Sequence, residues 1–133
     1  MNYYPFDSRN NLYRSQLGAV AAGKKLRLRL LLHKDANVHS AFLRVFADGA
    51  DFPSEVAMTP SDTLNEYRFY DAEIVPHEGL YWYDFRYVSD FGEFFITKNE
   101  RALGIISREP SERFQLTVHS ADFTTPDWLK GGI

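Results

Sequence analysis

Two acidic pairs stand close enough along the chain to act together: Asp48 with Asp51, and Asp71 with Glu73. Paired-carboxylate chemistry needs one group as acid and the other as base or nucleophile, held a few ångströms apart on a rigid frame. Asp48 and Asp51 fall in a turn marked by Asp48-Gly49, and Asp71 and Glu73 project from one face of a strand. Both pairs read as solvated charges, the usual condition of acids. The other chemical cluster is Trp82 with Asp84 and Arg86, three alternate residues sharing one strand face. An outward indole beside charged groups suits sugar recognition, because the ring packs on a hexose while the charges take its hydroxyls. An indole in that place equally suits packing against another domain. Packing is favoured, since large exposed apolar groups mark contact surfaces.

The elements that position these residues have a period of two. Leu26, Leu28, Leu30 and Leu32 alternate with Arg27, Arg29 and His33, a half-buried strand. Ala41 to Phe46 follows and is apolar in both rows, so Phe42 and Phe46 belong to a strand covered on both sides or to a contact patch. Coverage is favoured. Asn65 to Val75 is a third run. Leu80 to Val88 is the strongest strand, with Tyr81, Tyr83, Phe85 and Tyr87 facing the core. Gly92 to Thr97 and Gly104 to Ser107 are shorter, and Arg113 to His119 closes the set. Helical periodicity is almost absent, and the Ala-rich Gln16–Ala22 segment is too short to stand alone. Many short strands between turn clusters predict an all-β fold, an antiparallel sandwich.

Composition removes several function classes. The 133 residues suffice for one domain with a real core, and 44% are hydrophobic. A net charge of −3 without basic blocks argues against nucleic acid as a partner. Cysteine is absent, and His33, His39, His77 and His119 lack ligand spacing, so no metal site or cofactor is expected. Asp48 and Asp51 are too few for a calcium loop. There is no phosphate loop, dinucleotide fingerprint or Gly-x-Ser-x-Gly elbow. No apolar stretch approaches a membrane span. The first residues lack the basic start and apolar core of a signal peptide, so the cytoplasm is the expected setting.

Three patches carry a family resemblance. Phe6-Asp7-Ser8-Arg9 followed by Tyr13-Arg14-Ser15 and Gly18-Ala19-Val20 resembles a "DSR…YRSPFGAV" lead-in, with Gln16-Leu17 where Pro-Phe is commoner. Gly79-Leu80-Tyr81-Trp82-Tyr83-Asp84-Phe85 resembles a "GLYWYYF" strand. Phe114-Gln115-Leu116-Thr117-Val118 through Gly132 resembles a "YQLTVYD…F-x-TPDW-x-KGG" exit. Together, in this order, they resemble the N-terminal domain of glycoside hydrolase family 13 enzymes, the α-amylase, neopullulanase and cyclomaltodextrinase kind.

That resemblance implies an immunoglobulin-like sandwich similar to carbohydrate-binding module family 34. It would span residues 1–123 with an extended lead-in over 1–24, and residues 124–133 would link it to a catalytic (β/α)8 barrel beyond Ile133. The barrel's Gly-x-Arg-x-Asp motif is absent here, so the chain itself is expected to be non-catalytic. The implied partners are its own barrel, a second copy in a homodimer, and α-glucan oligosaccharides. Trp128 is the expected anchor onto the barrel. The implied role is to support the barrel and shape its substrate site; the alternative is an α-glucan binding module working through exposed aromatics. Tyr3 and Tyr4, clustered with Phe6 and Tyr13 in the lead-in, could stack on a glucan, but interface packing is favoured for them.

Overall fold

The alternation of the sequence becomes the layering of the molecule. In the computed structural model residues 3–120 are described; the expected linker over 124–133, with Trp128, lies outside them. The strands are β1 (Phe6–Asp7), β2 (Val20–Ala21), β3 (Leu26–His33), β4 (Val38–Ala47), β5 (Ser54–Ala57) and β6 (Thr59–Leu64), then β7 (Tyr67–Ile74), β8 (Gly79–Ser89), β9 (Gly92–Lys98), β10 (Leu103–Ser107) and β11 (Phe114–His119). They form two sheets packed as a sandwich, which is the expected all-β class.

The larger sheet is organised on β8. Strand β4 pairs along nearly its whole length, and β5 lies beyond β4. The other edge of β8 is shared: β11 pairs with its first half and β9 with its second. Strands β10 and β1 continue outward from β9. All these pairs are antiparallel, but β2 joins β11 in parallel, Val20 opposite Val118. The smaller sheet has the order β3-β7-β6.

Phe114, Leu116 and Val118 are buried while Gln115, Thr117 and His119 are exposed, the pattern of a strand with one wet face. Strand β3 departs from the half-buried expectation. Leu26, Leu28, Leu30 and Leu32 are sealed, but Arg29 and Leu31 in the opposite row are buried too. Arg29 can be buried because its guanidinium lies 3.9 Å from the Phe69 ring centre and donates to Asp71 at 2.9 Å. Asp71 is therefore not the solvated charge that its sequence position suggested.

The lead-in closes one seam of the sandwich. Its β1 pairs with β10 of the larger sheet, while the carbonyls of Pro5 and Tyr13 accept from Leu31 and Arg29 of the smaller one. Phe6, fully buried, packs its ring among Tyr13, Tyr83, Phe85 and Phe114. Tyr3 stacks on Tyr67 at 4.6 Å and donates its hydroxyl to the Leu31 carbonyl. Burial pushes the Tyr3 hydroxyl well above its ordinary pKa. Tyr4 is partly buried, its carbonyl accepting from the Tyr13 hydroxyl. Tyr3 is thus engaged inside the domain, in a sandwich contact instead of an open platform.

Gly104 shows how tight this seam is. A Cβ there would stand 2.7 Å from Ile96 Cγ2 and 2.8 Å from Phe6 Cβ. Gly104→Ala should destabilise the fold by about 1–3 kcal/mol, the usual range for overpacking, with the loss read from the urea midpoint. An unchanged midpoint would show that β1 yields to a methyl group.

Candidate functional site

The outer face of the larger sheet holds the residues singled out by spacing. Register places Phe42, Arg44 and Phe46 of β4 opposite Arg86, Asp84 and Trp82 of β8. Each aromatic therefore faces a charged or aromatic partner across the ladder. Arg44 holds Asp84 in a bidentate pair, Nε to Oδ1 at 2.7 Å and Nη2 to Oδ2 at 2.8 Å. Asp84 has no exposed surface. Its charge is used inside the protein and is not offered to a sugar hydroxyl.

Arg86 is also committed. It reaches Glu55 at 3.1 Å and Glu93 at 3.0 Å, with its guanidinium 4.4 Å from the Phe42 ring centre. Its own pKa is raised, first by the hydrogen bond it donates to Glu55, then, after the opposing effect of burial, by that carboxylate's charge. Phe46 is buried under the guanidiniums of Arg113 at 3.6 Å and Arg44 at 5.3 Å. Phe46 is thus buried beneath Arg44 and Arg113, and Phe42 is half-buried beneath Arg86. Neither is an open platform.

Trp82 stands at the margin of this covered field. Its indole Nε1 donates to Asp48 Oδ1 at 3.3 Å, tying the strand to the β4–β5 loop. Beside it opens a depression of about 430 Å³ lined by Trp82, Lys98, Ser111, Glu112 and Arg113. The sequence reading missed Lys98, Ser111, Glu112 and Arg113; Lys98 ends β9, and Ser111–Arg113 form an irregular lead-in to β11 that carries no periodic signal. The arrangement offers an aromatic wall with cationic, anionic and hydroxyl groups nearby. It brings together Trp82 with groups other than Asp84 and Arg86.

The acidic pairs take separate roles: Asp48 accepts from Trp82, Asp71 accepts from Arg29, and Glu73 pairs with exposed Lys25 at 3.9 Å. His39 meets Asp90 at 2.5 Å, and His33 caps the 3₁₀ turn Lys34–Ala36. Among the described residues, no three acidic or histidine side chains gather into a metal cage. No described helix is long and apolar enough to cross a membrane.

Comparison with known proteins gives the chain a context. Over 96% of its length the chain is 25% identical to an amylopullulanase from Thermoanaerobacter thermohydrosulfuricus and 26% identical to one from Thermoanaerobacterium thermosulfurigenes. It is related to amylopullulanases. A third, from Thermoanaerobacterium saccharolyticum, is 24% identical. The chain spans only 9%, 7% and 10% of the lengths of these relatives. The fold is shared with a cyclomaltodextrinase, at a TM-score of 0.59 and 17% identity over 80% of this chain and 19% of that one. It is shared too with the type III pullulan hydrolase from Thermococcus kodakarensis, at 0.54 and 18% over 80% and 16%. No family model matches the chain. The resemblance carried by the three sequence patches is thus supported by relatives and by fold.

Proposed function

We propose that this chain is a non-catalytic accessory domain of a larger α-glucan hydrolase, supporting the catalytic barrel, its dimerisation and the shape of its substrate site. The observation that carries this reading is the match over nearly all of this chain to a small part of several amylopullulanases. The geometry supports it. Asp84 and Asp71, the two acids enclosed between strands, are each held by an arginine at hydrogen-bond distance. Carboxylates saturated in this way serve packing, whereas an acid/base pair needs a free proton position. The parent enzyme would act on α-glucan by a retaining two-carboxylate mechanism, with both carboxylates in the barrel.

A second reading has its own observation in its favour: the depression beside Trp82. There the indole could meet a glucose ring while Lys98, Ser111, Glu112 and Arg113 meet hydroxyls. One ring buries little area, so affinity would be low. Trp82→Ala in the full-length enzyme separates the readings. The accessory role predicts altered sedimentation or stability with unchanged retardation in amylopectin gels. Lost retardation with unchanged sedimentation would establish the binding module instead.

A further inference from the structure

Two arginines are buried among the described residues, and their charges are met differently. Arg29, 7% exposed, donates to Asp71 at 2.9 Å and reaches Asp62 at 3.4 Å. Arg14, 4% exposed, makes no ion pair among the described residues. Its Nη2 donates to the Gly18 carbonyl at 2.9 Å, and its backbone bridges Leu28 of β3. Arginine does not shed its proton in a protein, so burial without a counter-ion is costly. Among the described residues the buried acid is Asp84, and Arg44 and Arg113 already share it.

The Arg14 guanidinium ends beside Tyr83, which is fully buried in β8 with its ring among Phe6, Phe85 and Phe114. Burial pushes the Tyr83 hydroxyl up to about 12, and the neighbouring charge and hydrogen bonding of Arg14 pull against that rise. Arg14 Nε and the Tyr83 oxygen are nonetheless both buried without a well-formed hydrogen bond to any described residue. Each carries a hydrogen that needs an acceptor, and the surrounding rings supply none. We propose that a small monovalent anion, chloride in ordinary buffers, binds between Arg14 Nε and the Tyr83 hydroxyl as the counter-ion of Arg14. A halide accepts from both groups and neutralises the charge, whereas water accepts without neutralising. The ion also fastens the lead-in to the larger sheet, since Arg14 comes from one and Tyr83 from the other.

Thermal melts of the 133-residue chain, with chloride replacing gluconate at constant ionic strength, test this directly. The midpoint should climb with chloride and level off, as for a ligand that binds only the folded state. Bromide should act in the same way, and crystals grown in bromide should show its anomalous peak between Arg14 Nε and the Tyr83 hydroxyl. Tyr83→Phe keeps the ring and removes one donor, so half-saturation should move to roughly tenfold higher chloride. Arg14→Met should abolish the dependence. If that variant fails to fold, the bromide map and the Tyr83→Phe titration decide the matter. A midpoint indifferent to chloride would overturn the proposal, as would a chloride effect that survives Arg14→Met. Density at this position without an anomalous signal would overturn it too, and would identify a water as the occupant.

Discussion

Phe6→Ala should destabilise the domain by about 3–5 kcal/mol, the range for deleting a buried phenyl ring. Phe6 is fully buried and touches aromatic rings from β8, β11 and the lead-in. Its removal leaves a cavity among the four rings that pack on it. The loss should also have a local signature. With β1 loosened, the amides of Leu31 and Arg29, which donate to Pro5 and Tyr13, should exchange faster than the amides of β11. Urea denaturation with hydrogen exchange reads both effects. A change under 1 kcal/mol would mean that the lead-in is an appendage, contrary to its role as the seam.

Asp84→Ala should also cost about 3–5 kcal/mol, for a different reason. Breaking a buried ion pair leaves the surviving charge without its partner. Here Arg44 is only 12% exposed at its side chain, and Arg113 stands 3.9 Å from the same carboxylate. Both cations also lie over Phe46, so their repulsion would loosen the cover of that ring. The comparison is Arg86→Ala, whose partners Glu55 and Glu93 are 38% and 51% exposed. Water replaces that interaction, and the loss should be nearer 1 kcal/mol. Equal effects in the two variants would contradict the distinction between a buried and a rim arginine cluster.

The contrast between these sites shows what sequence discloses. Strand β11 was legible because Phe114, Leu116 and Val118 alternate with polar residues, and one wet face follows directly. The aromatic row of β8 was legible for the same reason. Strand β6 was not: Thr59–Leu64 is exposed throughout and sits at a sheet edge, so no row of it needs to be apolar. Strand β5 escaped too, and buried Met58, where the chain leaves the larger sheet for the smaller one, has no periodic neighbours to mark it.

Charges misled where pairing depends on register. Asp84 looks solvent-facing from its own strand, and only the register against β4 reveals Arg44 opposite it. Asp71 is opposite Arg29 across β3 and β7 in the same way. Alternation tells which residues share a face but not which strand lies alongside, so buried ion pairs between strands stay hidden. The family resemblance was legible because its motifs lie at both ends and in the middle of the chain, and relatives matching 96% of it bear that out. The depression at Trp82 was half legible: the indole was marked, and its neighbours from the irregular 111–113 segment were not.

This domain is proposed to serve a longer α-glucan hydrolase. Immunoblotting the native gene product with antibodies against this domain, beside a pullulan and amylopectin activity gel, tests it most directly. The expected result is one band several times heavier than the 133-residue chain, migrating with the hydrolytic activity. A native product of 133 residues, separated from any such activity, would contradict it and leave a free-standing β-sandwich whose function must lie in what it binds.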